Sequence, residues 1–138
     1  MSAAPDLRTI GVLGGMASAS TVEYYRPLDA GVNDALGGHT DADLLIRSVN
    51  FGRIERRIDE GEWAAAGEHL AGAAAALEAG GADLVVLATN TMHRVAPRIV
   101  EALSIPFLHI VDVTADGVEA GGVLGTRATM EGAFYADR

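Results

Sequence analysis

Thr89-Asn90-Thr91-Met92-His93 gathers two hydroxyls, a carboxamide and an imidazole within a single short stretch. The hydroxyls and the amide suit hydrogen bonding to a carboxylate or an enolate-like oxygen. His93 is the member of the group whose residue type suits proton transfer near neutrality, which makes it a candidate acid–base residue. The structural alternative is a helix cap at Asn90 or Thr91 with His93 on the surface. A second stretch, residues 14–21 (GGMASAST), joins an apolar run to a helical pattern. Main-chain N–H groups at such a helix start favour an anion. The spacing fits neither the dinucleotide fingerprint nor a phosphate-binding loop with Gly-Lys-Ser/Thr, so a small carboxylate or phosphate is favoured over a nucleotide. Arg47 falls inside another apolar run, where a charge needs a partner, and a substrate carboxylate is one candidate. His39, Asp41 and Asp43 alternate like metal ligands, but no further ligand converges on them, and a solvated acidic loop is the reading adopted. Asp112, just after His109, is read as a helix cap, His69 as a solvated helical residue and Trp63 as helix packing.

These residues must be positioned by the elements around them. Five short apolar runs read as strands: residues 9–14 (TIGVLG), 44–49 (LLIRSV), 83–88 (DLVVLA), 107–111 (FLHIV) and 122–125 (GVLG). Continuous runs of this length fit strands buried on both faces, as in a parallel sheet. Helical patterns lie between them. Ser20-Thr21-Val22-Glu23 has capping-box spacing and predicts a helix running to Leu36 and stopping at Gly37-Gly38. Trp63, Ala66, Leu70, Ala74 and Leu77 recur at helical spacing, ending at Gly80-Gly81. Val95, Ile99 and Leu103 mark a third helix, and residues 112–120 a short fourth. Pro27 and Pro97 fall inside the first and third patterns, where each predicts a kink or a late start. Strand–helix alternation predicts an α/β fold with a mostly parallel sheet of about four strands flanked by helices. Ligands of such folds sit at the carboxyl ends of the strands, which selects residues 14–21, 50–51, 89–93 and 112–114. The run Gly11-Val12-Leu13-Gly14 recurs as Gly122-Val123-Leu124-Gly125, which suggests the start of a second α/β half.

The chain has 138 residues, 49% of them apolar, a net charge of −9 and no cysteine. That length and apolar fraction predict one domain with a substantial core and argue against disorder. The acidic balance and the lack of a basic stretch argue against nucleic acid as a partner. Without cysteine there is no disulfide scaffold, no zinc–thiolate site and no thiol nucleophile from this chain. No signal-like h-region stands at the start and no apolar run is long enough to span a bilayer, so the expectation is a cytoplasmic protein without membrane contact.

Five motifs together resemble one family. IGVLGGM at 10–16, STVEYYR at 20–26, ATNTMH at 88–93, PFLHIVDVT at 106–114 and LGTRATM at 124–130 are similar, in order and spacing, to the aspartate/glutamate racemases, most of all their broad-specificity amino-acid racemase branch. The resemblance implies a flavodoxin-like α/β half, with residues 1–121 as the N-terminal domain and residues 122–138 as the beginning of a second half. It implies racemisation without a cofactor: one base removes the α-proton and an opposed acid returns one to the other face. The two groups are typically cysteines, one from each half. The first stands immediately before Asn-Thr, where this chain has Thr89, as some members of the branch do. Threonine offers no thiolate, which predicts a one-sided site. Carried over by position, the substrate-binding residues are Met16, Ser20, Thr21, Asn50, Thr89, Asn90, Thr91, Thr126 and Thr129, with Arg47 and His93 added from their chemistry.

Three functions follow as expectations. One is a racemase or isomerase acting on a small acidic amino acid. Another is a repurposed one-base isomerase, lyase or cyclase acting on a small carboxylate. The third is a non-catalytic module that binds a carboxylate or dimerises. An exposed inter-domain face further predicts a homo-oligomer.

Overall fold

Four apolar runs bounded by glycine or polar residues form the four strands of one sheet in the computed structural model, which describes residues 6–110 and 112. They are β1 (Ile10–Gly14), β2 (Leu44–Ser48), β3 (Leu84–Leu87) and β4 (Phe107–Leu108). All neighbours pair in parallel in the order β2-β1-β3-β4, so the first strand is central. The α/β reading holds, and the recurrence at residues 122–125 with the second half lies outside the described residues.

Connections between parallel strands are right-handed, so the direction in which the chain crosses decides which face its helices cover. From β1 the chain crosses to β2 through α1 (Ser18–Leu36). It then returns past β1 to β3 through α2 (Phe51–Asp59) and α3 (Trp63–Ala79). The reversal places α1 on one face and the α2–α3 pair on the other. A 3-10 turn (Thr91–Val95) and α4 (Ala96–Glu101) then lead to β4. The core lies between the sheet and the second group of helices, with Leu13, Ile54, Leu70, Val85, Met92 and Ile99 at its centre.

Small residues let α3 approach closely. Ala66, Gly67, Leu70, Ala71, Ala73, Ala74 and Leu77 form its buried face. Under that helix, a Cβ on Gly11 would stand 3.0 Å from both the Ala82 methyl and the Leu84 carbonyl oxygen, so its neighbours would have to shift. The opposite face is more open. In α1 only Thr21 is buried, and Val22, Tyr25 and Leu36 stay exposed, with exposed Ile46 of β2 beside Val22 and Tyr25. An apolar cleft of about 400 Å³ opens there between α1 and β2, lined in part by Val22, Tyr25 and Ile46.

Several local expectations change. Residues 20–23 form no capping box: α1 starts three residues earlier, its N-cap is Ala17 rather than Ser20, and no side chain caps it. Pro27 stays inside α1. Pro97 produces the late start, because the 3-10 turn precedes it and α4 begins at Ala96, where a missing N–H costs nothing. Helix α2 has no counterpart among the sequence-predicted elements. Arg47 does not lie in a buried strand, because β2 is at the edge of the described sheet and the side chain is exposed.

Candidate functional site

The strand order reverses between β1 and β3, and ligands of open α/β sheets bind at such a switch point, beyond the carboxyl ends of the strands. Three loops meet there because β1 is flanked by β2 and β3. The main chain fastens them on both sides. Val49 donates its N–H to the Gly14 carbonyl oxygen at 2.9 Å, and Ala88 donates to that of Leu13 at 2.8 Å. Residues 15–17, 49–50 and 88–91 are thereby held side by side.

Gly15 makes the first loop possible. Its φ of +94° lies in the region that L side chains avoid, and a Cβ there would meet the main chain of Val49. The Gly15 N–H donates to the Thr21 hydroxyl at 2.7 Å, inside the buried side of α1. Thr21 is 7% exposed and a Cβ on Gly14 would collide with it. Thr21 therefore braces the loop from within. Thr21→Val keeps the shape and removes the acceptor, leaving a buried N–H unpaired. The expected loss is about 1–3 kcal/mol, read by urea denaturation.

The other residues expected in this loop fall differently. Ser20 is exposed on α1. Met16 is 5% exposed and packed in the core, so its side chain faces away from any ligand in the loop. Asn50 is the N-cap of α2, and its Oδ1 accepts the Arg53 N–H at 3.3 Å. Arg47 lies opposite Leu13 in the β1–β2 register, on the sheet face covered by α2 and α3. After burial, its charge acts with those of Arg57 and Arg53 on His69 and helps to lower the pKa of that ring.

The third loop carries Thr89, Asn90 and Thr91. Thr89 and Thr91 are half-buried and Asn90 is exposed. Asn90 makes no capping bond with its side chain, contrary to the capping alternative. His93 is neither on the surface nor open to a reactant. It is 1% exposed, its Nδ1 lies 2.7 Å from the Thr89 carbonyl oxygen, and its Nε2 accepts the Ile110 N–H at 3.2 Å. An acceptor Nε2 places the proton of the neutral ring on Nδ1, which donates to Thr89. The imidazole thus ties the Thr89 turn to the segment after β4. The edge of His109 packs against it, with ring centroids 4.6 Å apart and planes at 75°. This geometry corrects the expectation of an acid–base role: the ring holds the main chain of Thr89 in place. Nothing in the sequence distinguishes the two roles, since both want a histidine one helical turn after the loop. Thr126 and Thr129 lie outside the described residues.

A flavodoxin-like order of parallel strands, with a glycine turn and a hydroxyl–amide loop at its switch point, defines an α/β domain of the doubly wound class. The particular lineage is given by comparison. The sequence pattern of the Asp/Glu/Hydantoin racemase family matches residues 13–138, and the chain belongs to that family. It is 32% identical over 134 residues to the broad specificity amino-acid racemase RacX of Bacillus subtilis, covering 91% of this chain and 58% of that protein. The fold matches the crystal structure of a protein assigned to the Asp/Glu racemases from Yersinia pestis with a TM-score of 0.87 and 40% identity, covering 96% of this chain and 60% of that one. An aspartate racemase homologue from Pyrococcus horikoshii OT3 matches with a TM-score of 0.74 and 29% identity, over 80% of this chain and 48% of the other. The chain thus spans between about half and three-fifths of the length of these relatives. Among the described residues, no helix is long and apolar enough to cross a membrane.

Proposed function

We propose that this chain provides the substrate-cradling half of a cofactor-independent amino-acid racemase site, for a small acidic amino acid. One observation carries the reading. At the switch point, the Thr89 hydroxyl and the Asn90 carboxamide enter no hydrogen bond among the described residues, while the Thr89 carbonyl is pinned by a buried ring. A loop with a fixed main chain and uncommitted polar side chains is built for a ligand. The first-turn N–H groups of α1 suit one carboxylate of that ligand. Thr89 then stands at the base position that the family motif implies. Its hydroxyl donates and accepts hydrogen bonds, which favours an enolate-like oxygen over proton removal. With no cysteine in 138 residues, one-sided proton transfer is the second reading that the composition favours. Self-association belongs to the same proposal, supported by exposed Val22, Tyr25 and Ile46.

Incubation with L- and D-aspartate or glutamate in D2O, followed by NMR of the α-proton, tests it. Exchange with inversion is the result expected of a racemase. Exchange with retention assigns one-base chemistry. Ligand binding without exchange overturns both for these substrates.

A further inference from the structure

Every cation in the chain is an arginine, and four of the ten (Arg47, Arg53, Arg56 and Arg57) fall within residues 47–57 of a chain whose net charge is −9. Three of them converge. Arg53 and Arg57 stand one turn apart on α2 and so share a face. Arg57 reaches α3, where its Nη1 donates to the Ala65 carbonyl oxygen at 2.8 Å, one turn before His69. Arg47 comes from β2, on the sheet face that α2 and α3 cover. The side chains of Arg47 and Arg53 form no hydrogen bond or ion pair among the described residues, whereas Arg98 is paired with Glu68 and Glu101.

Half-buried His69 lies on α3 one turn beyond the Arg57 contact at Ala65. Burial first, then Arg57, Arg53 and Arg47, hold its imidazole below the ordinary histidine range, and no carboxylate is among the groups that act on it. Cations left facing one another in an acidic protein repel, and a bound anion relieves that repulsion. The fork of each guanidinium is suited to two oxygens. A lone carboxylate satisfies one fork, whereas a tetrahedral oxyanion offers oxygens to several.

We propose that Arg47, Arg53 and Arg57, grouped around His69, form a binding site for a doubly charged tetrahedral oxyanion. The site uses Arg57 as a fixed arm, anchored on Ala65, and the other two as arms that close on the ligand.

The test is a titration of the His69 ring by NMR, with the resonance assigned by its loss in His69→Asn. Sulfate is the first probe, because it does not titrate near neutrality. Saturable binding is expected to raise the His69 pKa by about half a unit or more, since an anion favours the charged ring. Chloride at equal ionic strength only screens. An equal shift in chloride overturns the site. Arg47→Gln and Arg53→Gln, checked for folding by circular dichroism, are each expected to raise the sulfate midpoint by roughly ten-fold, the loss of one charged hydrogen-bonding partner. An unchanged midpoint in the double variant also overturns it. Inorganic phosphate and glycerol 3-phosphate then separate the two sources: equal midpoints assign a free ion, and a lower midpoint for the ester assigns a phosphate carried by a metabolite.

Discussion

Thr89→Cys is expected to raise α-proton exchange on aspartate or glutamate by roughly 100-fold or more, the lower end of what a positioned base contributes. A threonine hydroxyl has no ionised form near neutrality, whereas a cysteine has an ordinary pKa of about 8.5 and is a few per cent thiolate at pH 7. The substitution is close to isosteric, and the main chain at this position is held by His93 independently of the side chain. Exchange in the variant should therefore climb with pH and level off above the thiol pKa, while the parent protein shows no such limb. Since the chain has no other cysteine, the new thiol can be titrated alone by its rate of alkylation. The two pH profiles should share one midpoint. A folded, alkylatable variant with no gain in exchange would show that position 89 does not reach the α-carbon.

His93→Leu is expected to cost about 2–6 kcal/mol of stability, because it leaves the Ile110 N–H and the Thr89 carbonyl without partners, at about 1–3 kcal/mol each. Leucine fills a similar volume, so the loss reads the hydrogen bonds more than a cavity. Urea denaturation should show a lower midpoint with an unchanged slope. The contrast with acid–base chemistry is sharp. A proton-transferring histidine would leave stability near the parent value when replaced and would remove a limb from the pH profile of exchange. The tie predicts the opposite pattern: a large loss of stability, and in the protein that remains folded, weaker binding at the Thr89 loop.

The strands and their order along the chain were legible because parallel sheets hide both faces, and continuous apolar runs leave few other readings. The parts that failed share one cause: they depend on which neighbour a side chain finds. Ser20 to Glu23 had the spacing of a capping box, yet Thr21 turned inward to serve Gly15 and the helix began earlier. Helix α2 carries little periodic signal, because Ile54 and Ile58 are its only two aliphatic side chains, set among Arg53, Glu55, Arg56, Arg57 and Asp59. The one local signal is its cap, Asn50, a residue type that equally suits a ligand. The motif stretches fall in the loops that follow β1, β2 and β3. Role did not follow from position, as Met16 and His93 show: both lie in the motifs and both point into the core.

The central place of β1 has a consequence for how the protein is made. It leaves the ribosome before the other three strands, and its flanks are joined to it across 34 residues on the β2 side and 74 on the β3 side. Pairings so distant in sequence slow folding relative to helical bundles, because segments far apart along the chain must meet before any reward is gained. The turn at Gly15 therefore stays unframed during synthesis until Ala88 has emerged to bind Leu13. The pocket cannot be framed until β3 has been made, although its first residues are translated well before that strand.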